Sequence, residues 1–419
     1  MIRWQKLSGM CTVVALSLTL VSACSSSSAG ASSNSSTNHK AEPTIKIGVL
    51  TALSGALEPS FTGTVSAVQA RIDLANATNE LPGVKLQIVT ADDQSSATGA
   101  LAGAQQLISD GVTEMVIDSP YYYAAQAYVK KAGIPVMGMP FDPSWGSSAN
   151  QNQFAIFGSP DPNYGTFTGI GAYLKNAGGT TFCGVGTPVS PPSLYGVKEL
   201  AASAKLGGLT LAYMNTTVPL EQTDFSSVAL QMKSAGCNTL GMVLTTNATI
   251  DLLTALKNEG VHLKASWIAA GYSQSVIADP TAQTEIQGLG MVSQFEPTSL
   301  HTPGVERMMG AMKKYVHYTA PALTQGGING WFGADLAVEG LHVAAPNYTS
   351  QAVITKLRRV TSFDHDGLTC PLNFTKFGVA EGYSLSTCGW VAVAKGGIYQ
   401  SATGVKPIHF TIVTGSKND

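Results

Sequence analysis

Short apolar runs alternate with amphipathic stretches from Thr44 onward, and the alternation breaks once and begins again. Ile45 to Leu50 reads as a buried strand, after which Phe61, Val65, Val68 and Ile72 recur at helical spacing. Leu86 to Val89 is a second strand, and Leu101, Ala104, Leu107 and Ile108 mark a second helical face. Met115 to Ile117 and Ile134 to Met137 follow, with a helix expected over 124–131 between them. The second series has strands at 182–185, 209–213, 240–244 and 266–269, with helices near 195–206, 225–235 and 249–259. Such alternation builds right-handed βαβ units, hence parallel sheets with helices on both faces. Breaks at Asp161-Pro162-Asn163 and at 291–297 divide the chain. After them come helices over 305–318 and 330–345 and a β-rich piece from Thr369. The expected fold is α/β, with two Rossmann-like lobes and a chain that crosses between them more than once. A cleft at the carboxyl ends of the strands is where such sheets place ligands.

The N-terminus reads as an export signal. Arg3 and Lys6 precede an apolar run from Met10 to Leu20, which closes on Val21-Ser22-Ala23-Cys24. That closing tetrapeptide resembles a bacterial lipobox, in which Cys24 is lipidated and becomes the first mature residue. The division expected is a signal peptide over 1–23 and a flexible tether over 24–43. The serine-rich stretch 25–40 has no apolar residue larger than Ala, so it cannot bury enough surface to offset ordering entropy. The protein is expected on the extracytoplasmic face of the cell membrane, held by its lipid, with a soluble body.

Removing residues 1–23, which carry two Lys/Arg and no acid, takes the formal charge from −2 to −4. A weakly acidic surface does not suit nucleic acid, whose phosphates need clustered cations. Cys183, Cys237, Cys370 and Cys388 remain after Cys11 is removed and Cys24 lipidated. An even number in an exported chain favours disulfides, with three possible connectivities. Cys183 and Cys237 head neighbouring strands, while Cys370 and Cys388 flank a candidate hairpin, so Cys183–Cys237 and Cys370–Cys388 are the pairs expected. No Cys-x-x-Cys or spaced His pair accompanies them, and neither metal nor cofactor is expected.

Several segments together resemble one family. They are 45–55 (IKIGVLTALSG), Asp92-Asp93-Gln94-Ser95-Ser96, Ala132 to Val136, Tyr195-Gly196, Asp224-Phe225-Ser226 and Pro371 to Phe374. In order and spacing they are similar to type I periplasmic binding proteins of the leucine/isoleucine/valine-binding family, the solute receptors of ABC importers. The resemblance runs from Thr44 to Trp390. It implies two lobes joined by three crossovers, lobe 1 over 44–160 plus 295–360 and lobe 2 over 161–294 plus 361–410. It implies hinge closure on a small organic solute, docking on a permease, and a monomer.

Family sites lie on loops at strand ends, which here hold Ser54, Phe61, Tyr121, Tyr122, Tyr123, Phe141 and Asp142. The second lobe offers Tyr195, Thr246, Asn247 and Tyr272, and a crossover offers Phe295. The Ser/Thr loop and the acid with which amino-acid receptors of this family hold a zwitterion have no counterpart at 119–123 or at Gly271-Tyr272. Aromatic residues, Trp145 among them, stand in their place, with Tyr122 and Tyr195 foremost. Such a lining suits a larger or less polar solute. Asp142 either receives a ligand amine or caps a turn before Pro143. Asp92-Asp93 reads as helix caps, and Asp364-His365-Asp366 as a solvated turn rather than a metal cluster.

Catalysis is not expected. The chain has no Gly-x-Ser-x-Gly elbow, no His-Glu-x-x-His and no Walker glycine loop. Gly184-Val185-Gly186 lacks the third glycine of a dinucleotide fingerprint. Two other functions are compatible with these residues: a sensor of the same fold that signals to a membrane partner, and a secreted hydrolase with an unrecognised site.

Overall fold

Five parallel strands form the first sheet because the helix or turn after each strand carries the chain back to the end at which that strand began. In this computed structural model the described residues are 42–157, 166–189, 194–376, 388–409 and 411–413. The first series is β1 (Thr44–Thr51), α1 (Glu58–Phe61), α2 (Thr64–Thr78), β2 (Lys85–Asp92), α3 (Ala97–Ser109), β3 (Glu114–Asp118), α4 (Gln126–Ala132), β4 (Val136–Gly138) and β5 (Gln153–Ala155). Its strand order is β2-β1-β3-β4-β5, with Ile47 opposite both Ile88 and Glu114. The helix expected through Phe61 and Ile72 is two helices, broken at Gly63, whose φ of 97° suits glycine.

The second series is β6 (Thr166–Phe167), α5 (Thr168–Asn176), β7 (Thr181–Gly186), α6 (Leu194–Leu206), β8 (Thr210–Asn215), α7 (Ser226–Ser234), β9 (Thr239–Val243), α8 (Thr246–Asn258) and β10 (Ala265–Ile268). Its parallel sheet has the order β10-β9-β7-β8. Two short helices, α9 (Gln274–Ile277) and α10 (Pro280–Glu285), lead to β11 (Gly290–Ser293).

The chain then returns to the first sheet with α11 (Pro303–Val316), α12 (Gln325–Ala344) and α13 (Ser350–Leu357), of which α11 and α12 pack on α2 and α13 packs on α12. Apolar on nearly every side, α12 is a core helix. It starts five residues before the expected Gly330, where Thr324 caps it by accepting the Gly327 N–H at 3.0 Å. A Cβ at Gly326 or Gly330 would run into the backbone of Phe61 or Thr64, so these glycines set how closely α12 approaches α2. Finally β12 (Cys388–Lys395), β13 (Ile398–Ser401), β14 (Ile408–His409) and β15 (Ile412–Val413) follow; β12 pairs antiparallel with β11, β13 and β14, and β15 with β6. The hairpin expected between Cys370 and Cys388 falls largely on 377–387, outside the described residues; β12 and β13 form a hairpin that turns at Gly396-Gly397, where both φ values are positive.

Both disulfides join the expected partners. Cys183–Cys237 closes a separation of 54 residues across β7 and the start of β9, and Cys370–Cys388 one of 18. By loop entropy these constrain the unfolded chain by about 4 and about 3 kcal/mol.

Candidate functional site

The carboxyl ends of both parallel sheets feed one apolar cluster. Ala52 follows β1, and Leu57 and Phe61 come from the turn and short helix after it. Tyr121 after β3 and Phe141 after β4 pack on them, with Phe61 and Phe141 edge to face at 5.9 Å. Val189 after β7 and Leu220 after β8 complete the cluster from the other lobe. The α1 turn is braced from β2's loop. Leu57 N–H donates to Ser95 Oγ at 2.9 Å, and the Ser95 hydroxyl donates to the Ser54 carbonyl at 2.8 Å. Ser60 Oγ then accepts the Thr246 N–H at the start of α8, 3.1 Å away across the cleft. The lobes therefore meet through apolar contact and a directed hydrogen bond at the place where α/β sheets bind ligands. Asn247, beside that bond, is exposed.

A family model for periplasmic binding proteins matches residues 44–397. The chain belongs to the periplasmic binding protein family. No curated protein matches it. Among solved structures, a branched-chain amino acid ABC transporter protein from Thermus thermophilus with bound valine aligns at TM-score 0.73 and 17% identity, covering 88% of this chain and 97% of that one. A fatty acid ABC transporter substrate-binding protein from Thermomonospora curvata gives 0.71 and 18%, covering 86% and 91%. A solute-binding protein from R. palustris in complex with 4-hydroxybenzoate gives 0.69 and 14%, covering 88% and 97%. At such identities the likeness is one of fold, here the two-lobe type I architecture.

Several expected contacts stand elsewhere in the fold than the cleft. Tyr122 is buried in the first lobe's core, its ring 5.8 Å from that of Trp145, and burial raises its pKa. Three consecutive tyrosines cannot all face one side of a 3₁₀ turn, and the middle one turns inward. Tyr272 and Phe295 belong to an aromatic stack at the crossovers. Phe295 contacts Phe157, Phe332 and Tyr272 at centroid distances of 4.9 to 5.8 Å, and Tyr272 stacks on Tyr399 at 4.4 Å. The Tyr272 hydroxyl accepts the Thr298 N–H at 2.8 Å, which ties it further to that region.

Asp142 caps the turn at Pro143. Its Oδ1 accepts Ser144 N–H at 2.8 Å and its Oδ2 accepts from Gln126 Nε2 at 2.9 Å, which leaves little for a ligand amine. The Ser54 hydroxyl donates to Asp92 Oδ2 at 2.6 Å. Asp92 and Asp93 do not cap α3, a task that falls to Ser96; Asp92 braces 53–54 and Asp93 Oδ1 takes the Ser95 N–H. Tyr121 and Tyr123 are half-buried beside the cluster, and burial together with Asp93 raises the Tyr121 pKa. Tyr195 lies in α6, but its side chain falls outside the described residues, as does Cys24.

Under the first lobe's half of the cleft lie buried carboxyls that periodicity does not reveal. Burial pushes the Asp118 pKa up to about 7, opposed by hydrogen bonds from Thr64 and Asn329 and reinforced by Asp93. Asn329 Nδ2 donates to Asp118 Oδ1 at 2.8 Å. The Thr64 hydroxyl stands 2.7 Å from Asp118 Oδ2 and 2.8 Å from the Phe61 carbonyl. It has one proton for two acceptors, so both contacts are hydrogen bonds only when Asp118 is protonated and donates to Thr64. Asp118 is thereby linked to the residue that carries Phe61 into the cleft.

His365 is not on a solvated turn. It is fully buried, between Phe332 and Phe363, with Nδ1 3.0 Å from Asp335 Oδ2. Arg71 Nε donates to Asp335 Oδ1 at 2.6 Å, and Arg307 completes the network. Burial alone would raise the Asp335 pKa, yet His365, Arg71 and Arg307 hold it well below the usual carboxylate range. Among the described residues no acidic, His or Cys cluster is placed to hold a metal, and no helix is long and apolar enough to cross a membrane. A recess of about 480 Å³ lined by Asp73, Asn76, Lys85 and Tyr315 sits at the opposite, amino-terminal ends of β1 and β2. It is not part of the cleft.

Sequence reasoning missed Leu57, Val189 and Leu220, because it sought polar and aromatic groups in the loops. Their distance of a few residues past a strand end was the available signal.

Proposed function

We propose that this protein is the solute receptor of an ABC importer, anchored outside the cytoplasmic membrane by lipid on Cys24. It captures a small organic solute as two lobes close about their crossovers. The lobes are 44–160 with 295–360 and 161–294 with 361–410, the tether is 24–43, and the receptor works as a monomer, without catalysis, beside its permease. The observation that carries this reading is the apolar cluster shared by both lobes at the strand ends, joined by the Ser60–Thr246 hydrogen bond. Closure of that kind couples binding to conformation, since a solute held by both lobes favours the closed state. Relatives of the same fold described with valine, a benzoate and fatty acid transport support an organic solute. Contacts are assigned to Phe61, Tyr121, Tyr123, Phe141, Thr246 and Asn247, with Ser54 and Tyr195 at the margins.

The test is a thermal-shift screen of the purified protein against a broad metabolite library. A solute at a hundred times its Kd stabilises by about 2.7 kcal/mol. Absence of any shift, together with tight binding of a partner protein to the solute-free form, sinks the proposal. Incorporation of radiolabelled palmitate, abolished by Cys24→Ala, tests the anchor.

A further inference from the structure

The loops that meet a ligand are those at the carboxyl ends of the strands, because each following helix runs back the other way. Among the described residues these are 52–57, 93–96, 119–125 and 139–152 in the first lobe, and 187–189, 216–225, 244–245 and 269–273 in the second. None of them contains Lys or Arg, nor do the described stretches 156–157 and 294–302 that follow β5 and β11. The cations lie at the other end. Lys130 and Lys131 close α4, and Lys175, Lys205, Lys233 and Lys257 stand in the last turns of α5 to α8, at the amino-terminal side of the sheets. Lys198, one turn into α6, is exposed. Two buried acids, Asp93 and Asp118, lie at the first lobe's strand ends, after β2 and at the end of β3.

A helix amino terminus could hold an anion without a cation. At α8, whose start meets the opposite lobe, two of the first amides are occupied. Thr246 N–H is taken by Ser60 Oγ from the opposite lobe, and Ala248 N–H by the Thr245 hydroxyl at 3.2 Å. The remaining lining is aliphatic or aromatic, with the phenol groups of Tyr121 and Tyr123 and the Asn247 amide as polar handles. A carboxylate brought here would lose its water beside buried acids, with no Lys or Arg in the described strand-end loops to offset it.

Resting on the receptor reading above, we infer that the solute is an uncharged, predominantly apolar organic molecule bearing hydroxyl or carbonyl groups, and not a carboxylate. In this the site departs from the relatives described with valine and 4-hydroxybenzoate, both carboxylates in neutral water. Hydroxyl or carbonyl groups of the solute pair with Tyr121, Tyr123 or Asn247, while Phe61, Phe141, Leu57, Val189 and Leu220 enclose its body.

The experiment uses the full-length protein in detergent at pH 7.5, followed by thermal shift and then calorimetry. Matched pairs are compared: 4-hydroxybenzyl alcohol with 4-hydroxybenzoate, cyclohexylmethanol with cyclohexanecarboxylate, and a metabolite library sorted by charge. The expected result is stabilisation by uncharged members, each at least tenfold tighter than its carboxylate partner. Equal or tighter binding of the carboxylates overturns the inference and leaves the receptor reading standing. If no compound of either charge shifts the melt, the receptor reading falls and this inference with it.

Discussion

Glu114 begins β3, in the middle of the first sheet, and is fully buried with no hydrogen-bond partner on either carboxylate oxygen. Its carboxyl faces Gly340 of α12, where Met137 Cε and Val353 Cγ1 also converge. Burial raises its pKa well above the usual 4.5, so the folded protein holds it as a neutral acid. In the unfolded chain at pH 7 it is ionised. Keeping the proton on folding then costs a few kcal/mol at pH 7, because each pH unit above the unfolded value adds about 1.4 kcal/mol until the folded-state pKa is reached. The sign follows from the raised folded-state pKa: its contribution is whole below 4.5 and is lost as pH rises toward the folded value. Glu114→Met keeps the length and removes the proton requirement. It should stabilise the protein by about 3 kcal/mol at pH 7, but by less than about 1 kcal/mol at pH 5. Glu114→Gln should also be flat with pH yet less stable than the methionine variant, since its amide stays unpaired. Urea unfolding with disulfides intact, from pH 5 to pH 8, measures all three. A gap between wild type and Glu114→Met that does not change with pH would refute the burial argument.

Phe141→Ala should weaken solute binding about tenfold by removing the ring that meets Phe61, with Ser60→Ala costing a further few-fold through the lost interlobe bond; calorimetry with unchanged affinity in both places the solute elsewhere. Asp118→Asn mimics the protonated acid and can donate to Thr64. Because the folded pKa is raised to about 7, the wild type should lose stability between pH 5 and pH 8 relative to the variant, by about 1.4 kcal/mol per unit at most, and parallel melting curves across that range would count against the shared-proton arrangement. Asp335→Ala leaves the buried Arg71 with Glu80 as its remaining acidic partner and His365 without its carboxylate, and should cost about 3 kcal/mol at neutral pH. With its pKa depressed, Asp335 supports the fold above the usual 3.8 and loses that support as pH falls through its lower folded-state value, so the cost should shrink in strong acid as followed by circular dichroism.

The strands were legible because a strand buried on both faces is a continuous apolar run, as in Ile47 to Leu50. Helices with one polar face were legible for a similar reason, as with Leu101 to Ile108. By contrast α13 and the glycine-rich start of α12 were missed: glycines 326 and 327 carry no periodic signal, and the packing of Gly326 on Phe61 and of Gly330 on Thr64 is a tertiary contact. Among the candidate contacts, Phe61 and Phe141 could be anticipated from their place after strands. Tyr122 could not be told from Tyr121 and Tyr123, because which face of a 3₁₀ turn meets Trp145 is set by β4 and the loop beyond it.

By itself the sequence determined the α/β class, the two repeated series and the partners expected for both disulfides. These depend on local pattern, and topology then follows from the handedness of βαβ units. Tertiary structure alone decided which groups share an environment. Asp118 and Asn329 are 211 residues apart, and Ser60 and Thr246 are 186 apart. No periodicity encodes such pairs; they meet because the crossovers bring α12 under the first sheet and the second lobe over the first. Burial, which raises the pKa of Glu114 and Asp118, and the His365, Arg71 and Arg307 partners that hold Asp335 ionised are likewise properties of packing and not of residue type.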